Sequence, residues 1–220
     1  MDAAFLLVAL WLAFAATHMS LSSLRLRPRL VGTLGERGFQ GLYSLVALAI
    51  FVPLVWMYFG HKHQGPFLWH LGGLPGVRYA MYAGMAFAFA LAAGGLARPS
   101  PAALGAGSAE VRGALRITRH PVFMATGLFG LLHLCVAPVH ATELAFFAGF
   151  PAFALLGARH QDARKLVAGS AEFPRFHAAT TLLPDPSKLA AALRDDPLPF
   201  AIGAGVALVL RVFHPRLFGG

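Results

Sequence analysis

Apolar residues run along this chain in long blocks separated by short polar stretches. A helix that crosses a hydrocarbon core of about 30 Å needs about 20 mostly apolar residues. Six blocks approach that length, over residues 3–24, 39–60, 79–97, 120–137, 141–158 and 198–213. The last is short and ends in a segment carrying Arg211, so the count falls to five if that block lies in the interface. The pattern predicts an all-α, polytopic membrane helix bundle, organised as a single transmembrane domain over 1–220. The first block is read as a retained helix, because the chain opens Met1-Asp2 and lacks the positive n-region of a signal peptide.

The polar stretches are not alike. Fourteen of the 18 Lys and Arg residues fall in the first, third and fifth connections, which the positive-inside rule places on the cytoplasmic face. Both termini then face the other side, in what is expected to be a bacterial inner membrane. The stretch from 159 to 199 is long for a plain connector. Within it, Asp185-Pro186-Ser187 followed by KLAAALRD reads as a capped amphipathic turn or two of helix, with Leu189, Ala192 and Leu193 on one face and Lys188 and Arg194 suited to cytoplasmic headgroups.

Composition agrees: 57% hydrophobic and 12% charged residues exclude an ordinary soluble domain, which averages about 25% charged. The net charge of +9 would suggest a nucleic-acid partner in a soluble protein. Here it follows from basic loops, and membrane lipids are the expected partners, with no nucleic acid. A single cysteine, Cys135, excludes a disulfide framework and a four-cysteine metal site.

Ten histidines are the anomaly. His61, His63, His70, His140, His160, His177 and His214 fall in loops or at helix ends, where solvation is the simplest reading. His61 and His63, one residue apart, make a poor closed metal site. His18 and His133 lie inside predicted spans, where an imidazole normally faces a partner, a cavity or a metal. Small residues share the face of His133. Either histidine alone can hydrogen-bond to a neighbouring helix; two on separate helices shift the balance to a shared ligand. Haem is the favoured one, since iron takes axial imidazole and a helix bundle offers an apolar slot. Zinc is disfavoured because Glu143 is the one acidic residue inside a predicted span, and Cys135 points away from His133. In Arg116-Ile117-Thr118-Arg119-His120-Pro121, the basic residues suit either a helix start anchored in headgroups or a pocket for an anionic group such as a haem propionate. His120 and His133 stand about 140° and 20 Å apart along one straight helix, so they cannot share an iron.

With His18, LGERGFQGLYSLVALA (34–49), RPSP (98–101), RGALRITRHPVFMATGLFGLLHL (112–134) and the region from Gly169 to Thr181, the chain resembles the NnrU family and, beyond it, the Z-ISO-type cis-zeta-carotene isomerases. The resemblance implies an integral membrane protein, with b-type haem bound through two histidines in the isomerase relatives. Carried over, the haem-iron ligands fall on His18 and His133, and the R-H-P histidine falls on His120, the alternative to His133. The plant enzymes carry a cysteine where this chain has Gly130. By depth, His18 and His133 are offset by about 10–15 Å. The implied functions are a redox-gated isomerisation of a polyene lipid or a part in nitrite and nitric oxide metabolism. The R-H-P motif at 119–121 and ARKLVAGSAEFPRF (163–176) also echo isoprenylcysteine carboxyl methyltransferases, which use S-adenosylmethionine, although His160, Gln161 and Asp162 stand where those enzymes carry paired glutamates. A non-enzymatic haem or lipid assembly factor is the remaining reading.

Overall fold

The computed structural model describes residues 2–102 and 109–218. Helix α1 spans Ala3–Leu21 and is capped by Asp2, whose carboxylate accepts the Ala4 N–H at 3.1 Å. Helix α2 spans Leu26–Gly60, longer than the block from 39 that hydropathy predicts. Residues expected as the first connection are therefore largely helical. They turn at Gly35, whose φ of 71° is a left-handed conformation that a side chain would disfavour. Arg27 and Glu36 bridge that kink at 2.6 Å. Helix α3 spans Pro75–Ala97, and a four-residue helix α4 spans Ala114–Ile117.

Helix α5, Pro121–Val136, has 16 residues, about 24 Å at 1.5 Å per residue, and is shorter than a full crossing. Its ends are set chemically. Pro121 supplies no N–H at the first turn, and Ala137 is driven to extended backbone by Pro138. The fifth predicted block forms α6, Ala141–Phe147, and α7, Gly149–Ala168. Helix α7 thus continues ten residues past the predicted boundary, so much of the expected loop from 159 is helix and Asp162 is a helical residue. Helix α8 spans Phe173–Ala179, α9 spans Leu189–Asp195 and α10 spans Pro197–Phe218. Five helical segments are long and apolar enough to cross a membrane, among them α10. The block that falls short is the fourth, not the last as the sequence suggests.

Helix α3 packs between α5 and α10, α5 packs on α7, and α1 packs on α2, α6 and α7. Glycines make these approaches possible. A Cβ at Gly203 of α10 would collide with the backbone of Phe89 and Ala90 in α3, and one at Gly149 with the Trp11 ring. The core is divided. One half is aromatic, with Trp11, Phe14, Tyr58, Phe146, Phe147 and Phe150 buried around Leu7 and Leu54; the other is built from small side chains around Leu91, Ile117 and Ala158.

Each end of the bundle is tied by polar contacts. At one, the short strands β1, Phe67–Trp69, and β2, Val139–His140, pair antiparallel, and Trp69 Nε1 donates to the Leu134 carbonyl at 2.7 Å. At the other, the Arg119 N–H donates to Thr181 O and the Asp185 N–H to Ile117 O, each at 2.9 Å. The predicted helix near 185–195 forms, with Asp185 Oδ1 accepting the Ser187 N–H at 3.0 Å. It docks on the protein: Ala192 is fully buried and Leu189 packs against the core, while Leu193 stays exposed.

Candidate functional site

Both histidines expected inside the membrane stand in helices, against the aromatic half of the core. His18, in the last turn of α1, packs against Phe14, Tyr43 and Phe153 with centroids at 4.1, 4.7 and 5.3 Å. His133, in the last turn of α5, packs on Phe129 and stacks nearly parallel on Phe147 at 4.5 Å. They share one local arrangement. Nδ1 of His18 lies 3.2 Å from Phe14 O, and Nδ1 of His133 lies 2.8 Å from Phe129 O. A carbonyl only accepts, so Nδ1 carries the proton and Nε2 keeps its lone pair. Metal-bound histidines are held this way, one ring nitrogen donating to a carbonyl and the other left for the metal.

The two rings are not brought together. Phe147 and Phe153 are six residues apart, about 9 Å along the axis of α6 and α7. Phe150 occupies the level between them, touching Trp11 at 4.9 Å and Phe129 at 5.5 Å. The donor set suits haem iron in kind. The difference in level is what a single iron must bridge, and rings fill the space between.

The residues around the R-H-P motif form a separate cluster. His120 Nε2 lies 2.7 Å from Asp162 Oδ1, and Arg119 Nε donates to Asp162 Oδ2 at 2.8 Å. Arg119 Nη1 also donates to Thr180 O at 2.9 Å, and His177 Nε2 stands 3.7 Å from the same carboxylate. All three main partners are buried. Arg116 pairs with Asp195 at the end of α9, and the Gly113 N–H donates to that carboxylate at 3.0 Å. Arg116, Arg119 and His120, which suit either lipid headgroups or an anionic group of a ligand, here face carboxylates of the chain itself, Asp195 and Asp162. Asp162 and Asp195 were legible as acids, but no local spacing ties them to residues 43 and 79 positions earlier. Between His120 and His18 stand the rings of Phe123 and Phe153, 5.9 Å apart.

Sequence reading missed a third grouping. His63, His140 and Glu143, from the turn after α2 and the start of α6, bring their donor atoms within 4.8 Å of one another. The i, i+3 spacing of His140 and Glu143 is visible in the chain, whereas His63 arrives only through the fold.

These features define an integral membrane helix bundle with imidazoles inside an aromatic core. The sequence pattern of the NnrU protein family matches residues 6–220, and the chain belongs to that family. It is similar to the chloroplastic 15-cis-zeta-carotene isomerase of Arabidopsis thaliana, at 28% identity over 183 residues, or 81% of this chain and 48% of that protein. The chain thus spans about half the length of this curated relative. No solved structure matches it.

Proposed function

We propose that the protein is a membrane-embedded cis–trans isomerase of an apolar polyene of the carotenoid class, and that His18 and His133 are its haem b ligands, which requires the rings that separate them, Phe150 among them, to move aside when the cofactor binds. The observation that carries this is the pair of imidazoles in the aromatic core, each with Nδ1 engaged by its own helix and Nε2 free. The name of the plant relative supplies the substrate class. When bound, haem would supply an iron whose redox state can act on a conjugated double bond. The chain's own residues do the rest. Phe14 O and Phe129 O hold the imidazole tautomers, and the surrounding phenylalanines exclude water and offer flat apolar faces to a polyene. Arg119, His120 and Asp162 tie α5 to α7, fixing the helix that carries His133. A part in nitric oxide metabolism, the other role associated with the family resemblance, would use the same metal position.

The test is an oxidised and dithionite-reduced absorption spectrum of the detergent-purified protein from cells supplied with a haem precursor, with isomerisation of a cis-polyene in liposomes followed by chromatography. A Soret band with sharp reduced α and β bands is expected. His18→Ala and His133→Ala each lose or reshape it, and His177→Ala leaves it unchanged. A folded, colourless wild-type protein would end the haem reading, and a haem protein inert on polyenes would leave nitric oxide binding to be measured.

A further inference from the structure

Glu143 is the most deeply buried acid of the fold, with no exposed side-chain surface. A buried carboxylate needs compensation for the water it has lost. Part comes from the backbone. The His63 N–H donates to Oε1 at 2.8 Å and the His140 N–H to Oε2 at 3.0 Å, so both oxygens are fixed in direction. No lysine or arginine among the described residues pairs with it. The Thr142 hydroxyl lies 3.4 Å from Oε2 and the Tyr58 hydroxyl also hydrogen-bonds to the carboxylate, and two imidazoles face it: His63 Nδ1 lies 3.5 Å from Oε1 and His140 Nδ1 lies 3.5 Å from Oε2.

Those distances are long for charge-assisted hydrogen bonds, which run about 2.7–2.9 Å. Each is close to the edge of a coordination tetrahedron, because donors bonded at about 2.0–2.1 Å to zinc stand about 3.4 Å apart; the two imidazoles flank different oxygens of the carboxylate, and the donor atoms of all three residues lie within 4.8 Å of one another. Two further features agree. His140 Nδ1 is buried; it sits over the Glu143 N–H in the capping position of α6 but makes no hydrogen bond within normal limits. His63 has a φ of 59°, uncommon for a residue with a side chain, and this turn aims both its N–H and its ring at Glu143.

We propose that His63, His140 and Glu143 bind a divalent transition-metal cation of the zinc class, with a fourth position open to water. Two imidazoles and one carboxylate are a donor set that zinc accepts, and three protein ligands leave one position free. The half-exposed ring of His63 provides the way in. The ion would fasten the turn after α2 to the start of α6 and so to the β1–β2 pair. This site is separate from His18 and His133 and does not depend on haem.

The experiment uses the full chain without a histidine tag, purified in detergent, loaded with zinc chloride and desalted, with metal content read by mass spectrometry. The wild-type protein is expected to retain one zinc per chain. Cobalt chloride should give the visible bands of a tetrahedral ion, displaced by zinc. His63→Ala and His140→Ala each abolish retention, and Glu143→Gln does so if it folds; the half-exposed position of His63 keeps the test alive if it does not. His61→Ala, whose Nδ1 is engaged by Met57 O at 2.9 Å, leaves the metal content unchanged. The proposal fails if the folded wild-type chain keeps no metal, if His63→Ala and His140→Ala keep as much as wild type, or if His61→Ala loses it equally.

Discussion

Asp162 shows how much one side chain can hold. Its two oxygens receive Arg119 and His120 in a buried setting, so removing it leaves a guanidinium without its carboxylate inside the protein. Loss of one partner of a buried ion pair costs about 3–5 kcal/mol. Asp162→Ala should therefore unfold at markedly lower temperature in detergent, by circular dichroism, than Glu172→Ala on the exposed surface; equal transitions would remove Asp162 from this role. At the same scale, the sequence revealed which histidines lie in apolar surroundings but not what they touch. His18 and His133 stand out because hydrophobic residues surround them in the chain itself. The engagement of His120 by Asp162, and of His63 by Glu143, joins residues 42 and 80 positions apart, and only packing creates such pairs.

Among the elements, α5 and α9 depend most on small contacts. A Cβ on Gly130 would meet Phe147 O and the Phe150 and Pro151 side chains, so a larger residue must push α5 away from α6 and α7. Overpacking of this kind costs about 1–3 kcal/mol. Gly130→Cys should lower thermal stability by that order, and an unchanged melting curve would mean the helices separate freely. Helix α9 docks through Ala192 and Leu189 and is fastened at its end by charge. The Arg116 guanidinium, with the Gly113 N–H, keeps the Asp195 carboxyl below the usual carboxylate range. A lowered folded-state value means that the contribution is complete above the unfolded value of about 3.9 and is lost as pH falls through the lowered one. Protection factors for amide exchange over 189–195, taken against the intrinsic rate at each pH, should stay high at pH 5 and fall only in stronger acid, whereas those of Asp195→Asn should be low at both. Hydropathy located these elements well and their ends poorly. It stopped at Ala158 where Arg159, His160 and Asp162 begin, although Asp162 is buried against Arg119 and His120, just ahead of α5, and α7 runs on.

For the whole molecule, polar contacts gather at two opposite ends. The turn at 61–66 meets β2 and α6 at one, and α4, Arg119 and the segment 180–196 meet at the other. The basic residues cluster mainly at the second end. In a Cys135→Ser background, an impermeant thiol reagent added outside spheroplasts should label Gln64→Cys and spare Ser187→Cys; the reverse pattern would invert the proposed orientation. The same two-ended construction bears on how a polyene would reach the aromatic core. With its ends tied by Glu143 and by Asp162, the bundle is most readily entered sideways, through the lipid-facing helices. Under the proposed reading, the supply of substrate is then set by its mole fraction in the bilayer and not by its amount per volume of water. Turnover measured in vesicles should hold steady when the whole suspension is diluted, and fall when extra lipid spreads the same polyene over more membrane.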